Sequence, residues 1–208
     1  MTSTTPARRA RLSPAERRAS IIDAATEVFA RAGYQKTKMS DVARAVGVTE
    51  PVIFQNFGTK SALYVAVLEQ AEEHAQEAFA RHRTWHGAGA RGMLAEILSP
   101  EHLEAMHSGA EHGVLFADAM SLIGDPEIGA AARRAIGALA DALTALITEG
   151  QRTGEFRSDV NAEAAAWSAL SLMASYRFRL AVMPEHDTLE RSVLELQLQA
   201  LIGDGDEG

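Results

Sequence analysis

Seven histidines, many carboxylates and no cysteine make up the reactive inventory of this 208-residue chain. Lack of cysteine removes disulfides and thiolate metal ligands, and it fits a reducing cytosol. Histidines could hold zinc, but on a helix that needs ligands on one face, about four residues apart. His82 and His86 have that separation, yet they fall in His82–Gly92, which contains Trp85 and three glycines and reads as a loop. His102, His107 and His112 are five apart, a spacing that leaves one helical face. No nucleophile elbow, phosphate loop or dinucleotide fingerprint is present. The sequence therefore predicts no catalytic residue, no metal and no cofactor, with a histidine-rich metalloenzyme kept as an alternative.

A different chemistry is concentrated between Asp41 and Phe57. Gln55 and Asn56 carry amides, which can bond an adenine edge in two places, and small apolar groups can touch a thymine methyl. The stretch reads as two short helices. Val42, Ala43 and Val46 recur at helical spacing, Gly47 can take the left-handed backbone that ends a helix, and Thr49 can cap the next one. Proline is tolerated in a first turn, and the residue before it avoids helical angles, so either Thr49 or Glu50 is the boundary. At about 100° per residue, Ile53 and Phe57 share an inward face with Val46 and Val48. Pro51 and Gln55 then point outward, with Val52, Phe54 and Asn56 on the flanks. Two helices around a glycine turn suggest a helix-turn-helix, whose second helix enters the DNA major groove. The plainer alternative is a surface turn between two packed helices.

The elements around this pair read as a brace and a lever. Ser13-Pro14-Ala15-Glu16 forms a capping box, followed by a stripe of Ile22, Ala25, Val28, Phe29 and Ala32, with Gly33 closing the helix. Gly58-Thr59-Lys60-Ser61 starts a long helix to about Arg83. Free N–H groups at a helix start attract phosphate, and Lys60 adds a charge in that first turn. Further helices are predicted at 93–98, from Ser99-Pro100 onward, at 114–123, at 127–153, at 162–183 and at 187–202. No stretch alternates like a strand, and no internal repeat is visible. The fold class expected is all-α.

The stretch from Ile21 to Leu68 resembles the TetR family of transcriptional regulators. The resemblance rests on Ile22-Asp23-Ala24-Ala25, Val28-Phe29-Ala30, Gly33-Tyr34, Thr37, Asp41-Val42-Ala43, Gly47-Val48-Thr49, Ile53-Phe54, Asn56-Phe57-Gly58, Lys60 and Leu63, in the family's order and spacing. It covers the N-terminal quarter to third of the chain. The resemblance implies a three-helix helix-turn-helix head joined by a long helix to a C-terminal helical ligand-binding and dimerisation domain. It also implies that Thr37 touches the DNA backbone and that Lys60 clamps a phosphate. With the reading helix, the expected DNA contacts are Thr37, Thr49, Glu50, Pro51, Val52, Phe54, Gln55, Asn56 and Lys60. Two positions depart from the family pattern. Tyrosine is usual where Phe54 stands, so a hydroxyl that often reaches phosphate is missing, and glycine or alanine is frequent at Pro51.

Net charge is −8, which looks unsuited to DNA, but it divides unevenly. Residues 1–60 hold ten Lys/Arg against five Asp/Glu, and residues 61–208 hold ten against twenty-three. Screening beyond about 8 Å at physiological salt makes phosphate attraction local, so a basic head on an acidic body is workable. Three divisions follow: a flexible basic arm over 1–12, a DNA-binding domain over 13–77, and an effector-binding and dimerisation domain over 78–204. The arm has charge without an apolar segment and is not a secretory signal; no run reaches the roughly 20 apolar residues of a membrane span. A cytoplasmic location is expected.

In the body, the last two predicted helices are apolar on more than one face, through Leu170, Leu172, Met173 and Tyr176 on one and Leu189, Val193, Leu196 and Leu198 on the other. Helices apolar all round must be covered on both sides, which suggests a homodimer through these helices or a larger core within one chain. The middle helices suggest a pocket. Met93 and Ile97, then Leu103, Met106 and His107, then Phe116 and Met120 are candidate lining residues. Leu143 on the next helix, and Trp167, Leu170 and Tyr176 after it, complete the set; core packing is the alternative role for each. The resemblance implies a small-molecule effector there that releases DNA. The reading is a ligand-responsive regulator, a repressor on a palindromic operator in double-stranded DNA. A helical dimer that binds a protein partner is the other alternative.

Overall fold

The computed structural model describes residues 13–85, 89–107, 112–183 and 185–202, and every element among them is an α-helix. The first, α1 (Pro14–Lys36), starts with the expected capping box. The Ser13 hydroxyl accepts the Glu16 N–H at 3.2 Å, while the Ser13 N–H donates to the Glu16 carboxylate at 2.7 Å. Its buried stripe is Ile21, Ala25, Phe29 and Ala30, with Ile22 and Val28 half-buried; Ala32 faces solvent, because the stripe lies about one residue away from where the sequence put it. Gly33 kinks the helix at φ 75° and ψ 161°, a conformation open essentially to glycine alone.

α2 (Met39–Val46) and α3 (Glu50–Phe57) follow, separated by Gly47 in the left-handed region at φ 77°. α4 (Lys60–Trp85) is long and begins where Thr59 caps it: the Ala62 N–H donates to the Thr59 hydroxyl at 3.0 Å. α5 (Gly89–Ile97) starts four residues earlier than expected. The supposed loop at His82–Gly92 is therefore largely helical, and only 86–88 lie outside the described residues.

α6 (Pro100–His107), α7 (His112–Ser121) and α8 (Pro126–Thr153) come next; Asp125 caps α8 through the N–H groups of Glu127 and Ile128, both at 3.0 Å. The single helix expected over 162–183 is instead two, α9 (Ala162–Ala174) and α10 (Tyr176–Val182), and α11 (His186–Ile202) closes the fold. The break at Ser175 has a chemical cause. The Arg179 guanidinium takes the Leu172 carbonyl and the Ser175 hydroxyl, each at 2.7 Å, so side chains compete with the ordinary helical ladder at that point.

Two apolar cores form. One joins α1–α4 to Leu115 and Ala119 of α7 and to Ile128, Ala131 and Ala132 of α8. The other gathers α5, α6, the second half of α8 and α9–α11 around Leu94, Leu98, Leu103, Leu143 and Ile147. α8 belongs to both, and Phe79 of α4 packs against the second, so α8 and α4 link head and body. No described helix is long and apolar enough to cross a membrane.

Candidate nucleic-acid interface

α3 is short, and its orientation rests on what anchors it. Ile53 and Phe57 are buried among α1, α2 and α4, as the rotation of the sequence requires. Val46 and Val48 pack against the same cluster. The opposite side of α3 is open: Thr49, Glu50, Pro51 and Gln55 are exposed, Phe54 is 44% exposed, and Val52 is half-buried. Thr49 stands at the helix boundary, but its hydroxyl makes no capping bond.

Asn56 behaves differently from its neighbour. Its side-chain N–H donates to the Val52 carbonyl at 2.7 Å, so that amide is committed within the helix, leaving Gln55 as the outward amide. The Asn56 carbonyl accepts from the Arg18 guanidinium at 2.9 Å, and the same guanidinium lies 4.2 Å from the Phe57 ring centroid. Arg18 thus ties the C-terminal end of α3 to α1, satisfying a carbonyl that the helix itself leaves open. Nothing in the sequence pointed to it, because the partners are 38 residues apart.

Thr37 does not lie on this face. It is 2% exposed, and its hydroxyl donates to the Gly33 carbonyl at 2.8 Å, so in this conformation its side chain closes the turn after the Gly33 kink and is not offered to DNA. Lys60 is at the start of α4 as expected, but its ammonium is not simply in solvent. It sits 4.2 Å from the centre of the Tyr34 ring, half-buried, and burial holds its pKa below the usual lysine value, with the Asp118 carboxylate opposing that shift.

In the body, Met93, Ile97, Leu103, Leu143 and Tyr176 share the second core, and Leu170 packs against it. His107 joins them through its ring, 5.0 Å from that of Tyr176; its Nδ1 lies 2.8 Å from the Leu103 carbonyl, a contact that requires the proton on Nδ1. Burial depresses the His107 pKa. Met106 is half-buried, and the Phe116 side chain lies outside the described residues. Met120 and Trp167 are corrected: both are large exposed apolar residues and stay out of that core. A period of 3.6 assigns faces only relative to a chosen stripe, and the buried stripe of α9 runs through Ala165, Ala166 and Ala169. The sequence also gave no sign of the pair between Arg179 and Glu190, 9% and 0% exposed, bonded in two places at 2.7 and 2.5 Å. Among the described residues, no group of three or more His, Asp or Glu is placed to hold a metal ion.

An anchored helix pair with one open amide-bearing face, braced by α1 and followed by a lysine at a helix start, defines a helix-turn-helix protein. The family model of the bacterial regulatory proteins of the tetR family matches residues 21–67. The HTH-type transcriptional activator FasR of Mycolicibacterium smegmatis is 43% identical over 60 residues, which span 29% of this chain and 27% of that protein. Over the whole chain the likeness is one of fold. A TetR-family transcriptional regulator from Agrobacterium tumefaciens, 18% identical, aligns with 92% of this chain and all of its own at a TM-score of 0.78. The transcriptional regulator FadR from Bacillus subtilis, solved in complex with stearoyl-CoA, is 22% identical and aligns with 88% of this chain and 98% of its own at 0.68. Residues 21–67 thus match the TetR family of transcriptional regulators, the aligned stretch spans 27% of the length of FasR, and the chain as a whole shares the fold of solved TetR-family proteins.

Proposed function

We propose that this protein binds double-stranded DNA as a homodimer, represses transcription from a palindromic operator, and is released by a small apolar or amphipathic effector. The observation that carries the reading is the exposed face of α3, with Pro51, Phe54 and Gln55 outward and Ile53 and Phe57 holding the helix to the head. In this reading Gln55 contacts base edges, Phe54 and Val52 contact thymine methyls, and Thr49, Glu50 and Pro51 line the entry to the groove. Lys60 contacts phosphate. Asn56 and Thr37 act by holding the backbone.

The division into a basic arm (1–12), DNA-binding domain (13–77) and effector and dimerisation domain (78–204) belongs to the same proposal. Dimerisation through α9–α11 is supported by apolar side chains left in solvent: Phe178 is 68% and Leu196 65% exposed, with Trp167, Leu180, Val182 and Leu189 also open. Patches of this kind mark interaction surfaces. Effector binding is supported by the apolar cluster around Met93, Leu103, Leu143 and Tyr176, and by FadR, a relative in fold, having been solved with an acyl-CoA.

The test is selection of random double-stranded DNA by the purified full chain, followed by sequencing. An inverted repeat, with half-sites one or more helical turns apart, is expected. Enrichment of no sequence, or a monomer in light scattering, overturns the reading.

A further inference from the structure

The Lys60 ammonium is the phosphate contact in the function proposed above, yet it sits over the Tyr34 ring. What fixes that ring comes from the body of the protein. The Tyr34 N–H donates to the Asp118 carboxylate at 2.7 Å, across 84 residues of sequence. Tyr64, fully buried, points its hydroxyl at the same carboxylate oxygen at 3.1 Å and at the Leu115 carbonyl at 3.0 Å. The rings of Tyr34 and Tyr64 lie 5.0 Å apart, and Phe29 completes the cluster, 4.8 Å from Tyr64. Tyr34 can reach Asp118 because Gly33 turns the chain there with a backbone that other residues rarely adopt. A cation over an aromatic face is held by about 0.5–2 kcal/mol, a hold weak enough for a competing phosphate to displace.

We propose that Asp118 on α7 is a positioning residue that restrains DNA binding: it fixes Tyr34, on whose ring the Lys60 ammonium is parked, so that phosphate must compete Lys60 off this perch. The inference rests on the proposed DNA-binding role of Lys60. Movement of α7 relative to α1 and α4 would then change how readily the lysine is released, which gives the body a direct route to the DNA-facing surface.

The test is a double-mutant cycle on the full chain with a DNA fragment selected by the wild type. Asp118→Asn keeps the shape and an acceptor but removes the charge. In the wild-type background it is expected to tighten DNA binding about threefold; with Lys60→Ala already present it should change affinity by less than about 1.3-fold. Equal tightening in both backgrounds would reveal only a general charge effect and overturn the proposal, as would no tightening in either. Absence of DNA binding by the wild type would instead overturn the function proposed above.

A second measurement needs no variant of Asp118. After reductive methylation with ¹³C-formaldehyde, the Lys60 methyl signal, assigned by its loss in Lys60→Arg, should lie upfield from the ring current of Tyr34. It should move to an ordinary lysine position when DNA is added. A signal that is unshifted in the free protein, or that stays shifted on DNA, overturns the perch.

Discussion

The residues facing outward from the head divide their work by chemistry. Gln55 is the outward amide of α3, and a bidentate bond to a base is worth about 1–3 kcal/mol of discrimination against the wrong base. Gln55→Ala is therefore expected to relax preference at one base pair per half-site in a binding competition. Lys60→Ala should instead weaken binding to all sequences and lower the slope of log affinity against log salt by about 0.9 per lost phosphate contact. If both variants weaken binding uniformly, the assignment of roles is wrong. His107 makes a prediction of another kind. Burial is the largest cause of its depressed pKa, and the positive charges of Arg177 and Arg179 add to it against the Leu103 carbonyl. The unfolded chain therefore binds a proton at a higher pH than the folded one. Its contribution favours the folded state above the usual histidine value near 6.5, and is lost as pH falls through the depressed folded value. Thermal melts from pH 7.5 down to 5 should show a decline that His107→Gln flattens; an unchanged decline would exclude His107 as its source. These roles differ in how legible they were. The outward placement of Gln55 and the position of Lys60 at a helix start were readable, because helical rotation and helix polarity are local. The bond from the Asn56 amide to the Val52 carbonyl was not legible, because it leaves no pattern in the sequence.

Elements were legible wherever local chemistry fixes them. The Ser13 and Asp125 caps and the Gly47 turn are written in short stretches, and the structure has them. What could not be read was the interruption at Ser175, since it depends on Arg179 being buried and turning back to find acceptors. An apolar pattern over 162–183 is consistent with one helix or two, and only the buried guanidinium decides. The same guanidinium binds Glu190 and so fastens α10 to α11. Taking two charges from water is costly, so this pair is best viewed as fixing the angle of the two helices rather than as net stabilisation. A specific result follows. Glu190→Gln leaves the Arg179 charge buried with a weaker partner and should destabilise the fold by about 3–5 kcal/mol in denaturant unfolding. Arg179→Met combined with Glu190→Leu should recover most of that loss. A double variant as unstable as the single one would mean that the hydrogen bonds to Leu172 and Ser175 carry the stability instead.

Across the whole molecule, the two apolar cores divide a head from a body. Residues 13–60 contain α1–α3 and the start of α4, while α8 runs through both cores and joins them without a flexible linker. In the proposed dimer such a rod would transmit the position of the body to the head, and two bodies joined by a two-fold axis would set the distance between the two copies of α3. The open apolar face of α9–α11 is where that axis is proposed to pass. Phe178→Asp with Leu196→Glu places charges at two exposed positions, so the fold of the single chain should survive, with helix content unchanged by circular dichroism. Burying those charges across a two-fold contact would be costly, and the variant should run in light scattering at half the mass of the parent. Binding of the second head is made effectively intramolecular by the first, a gain of about 10²–10⁴, so affinity for the full inverted repeat should fall by at least about 100-fold while the contact made at one half-site is kept. A monomeric variant that still bound the full repeat as tightly as the parent would show that the two heads are not coupled through this face. A variant that remained dimeric would move the two-fold axis elsewhere on the body.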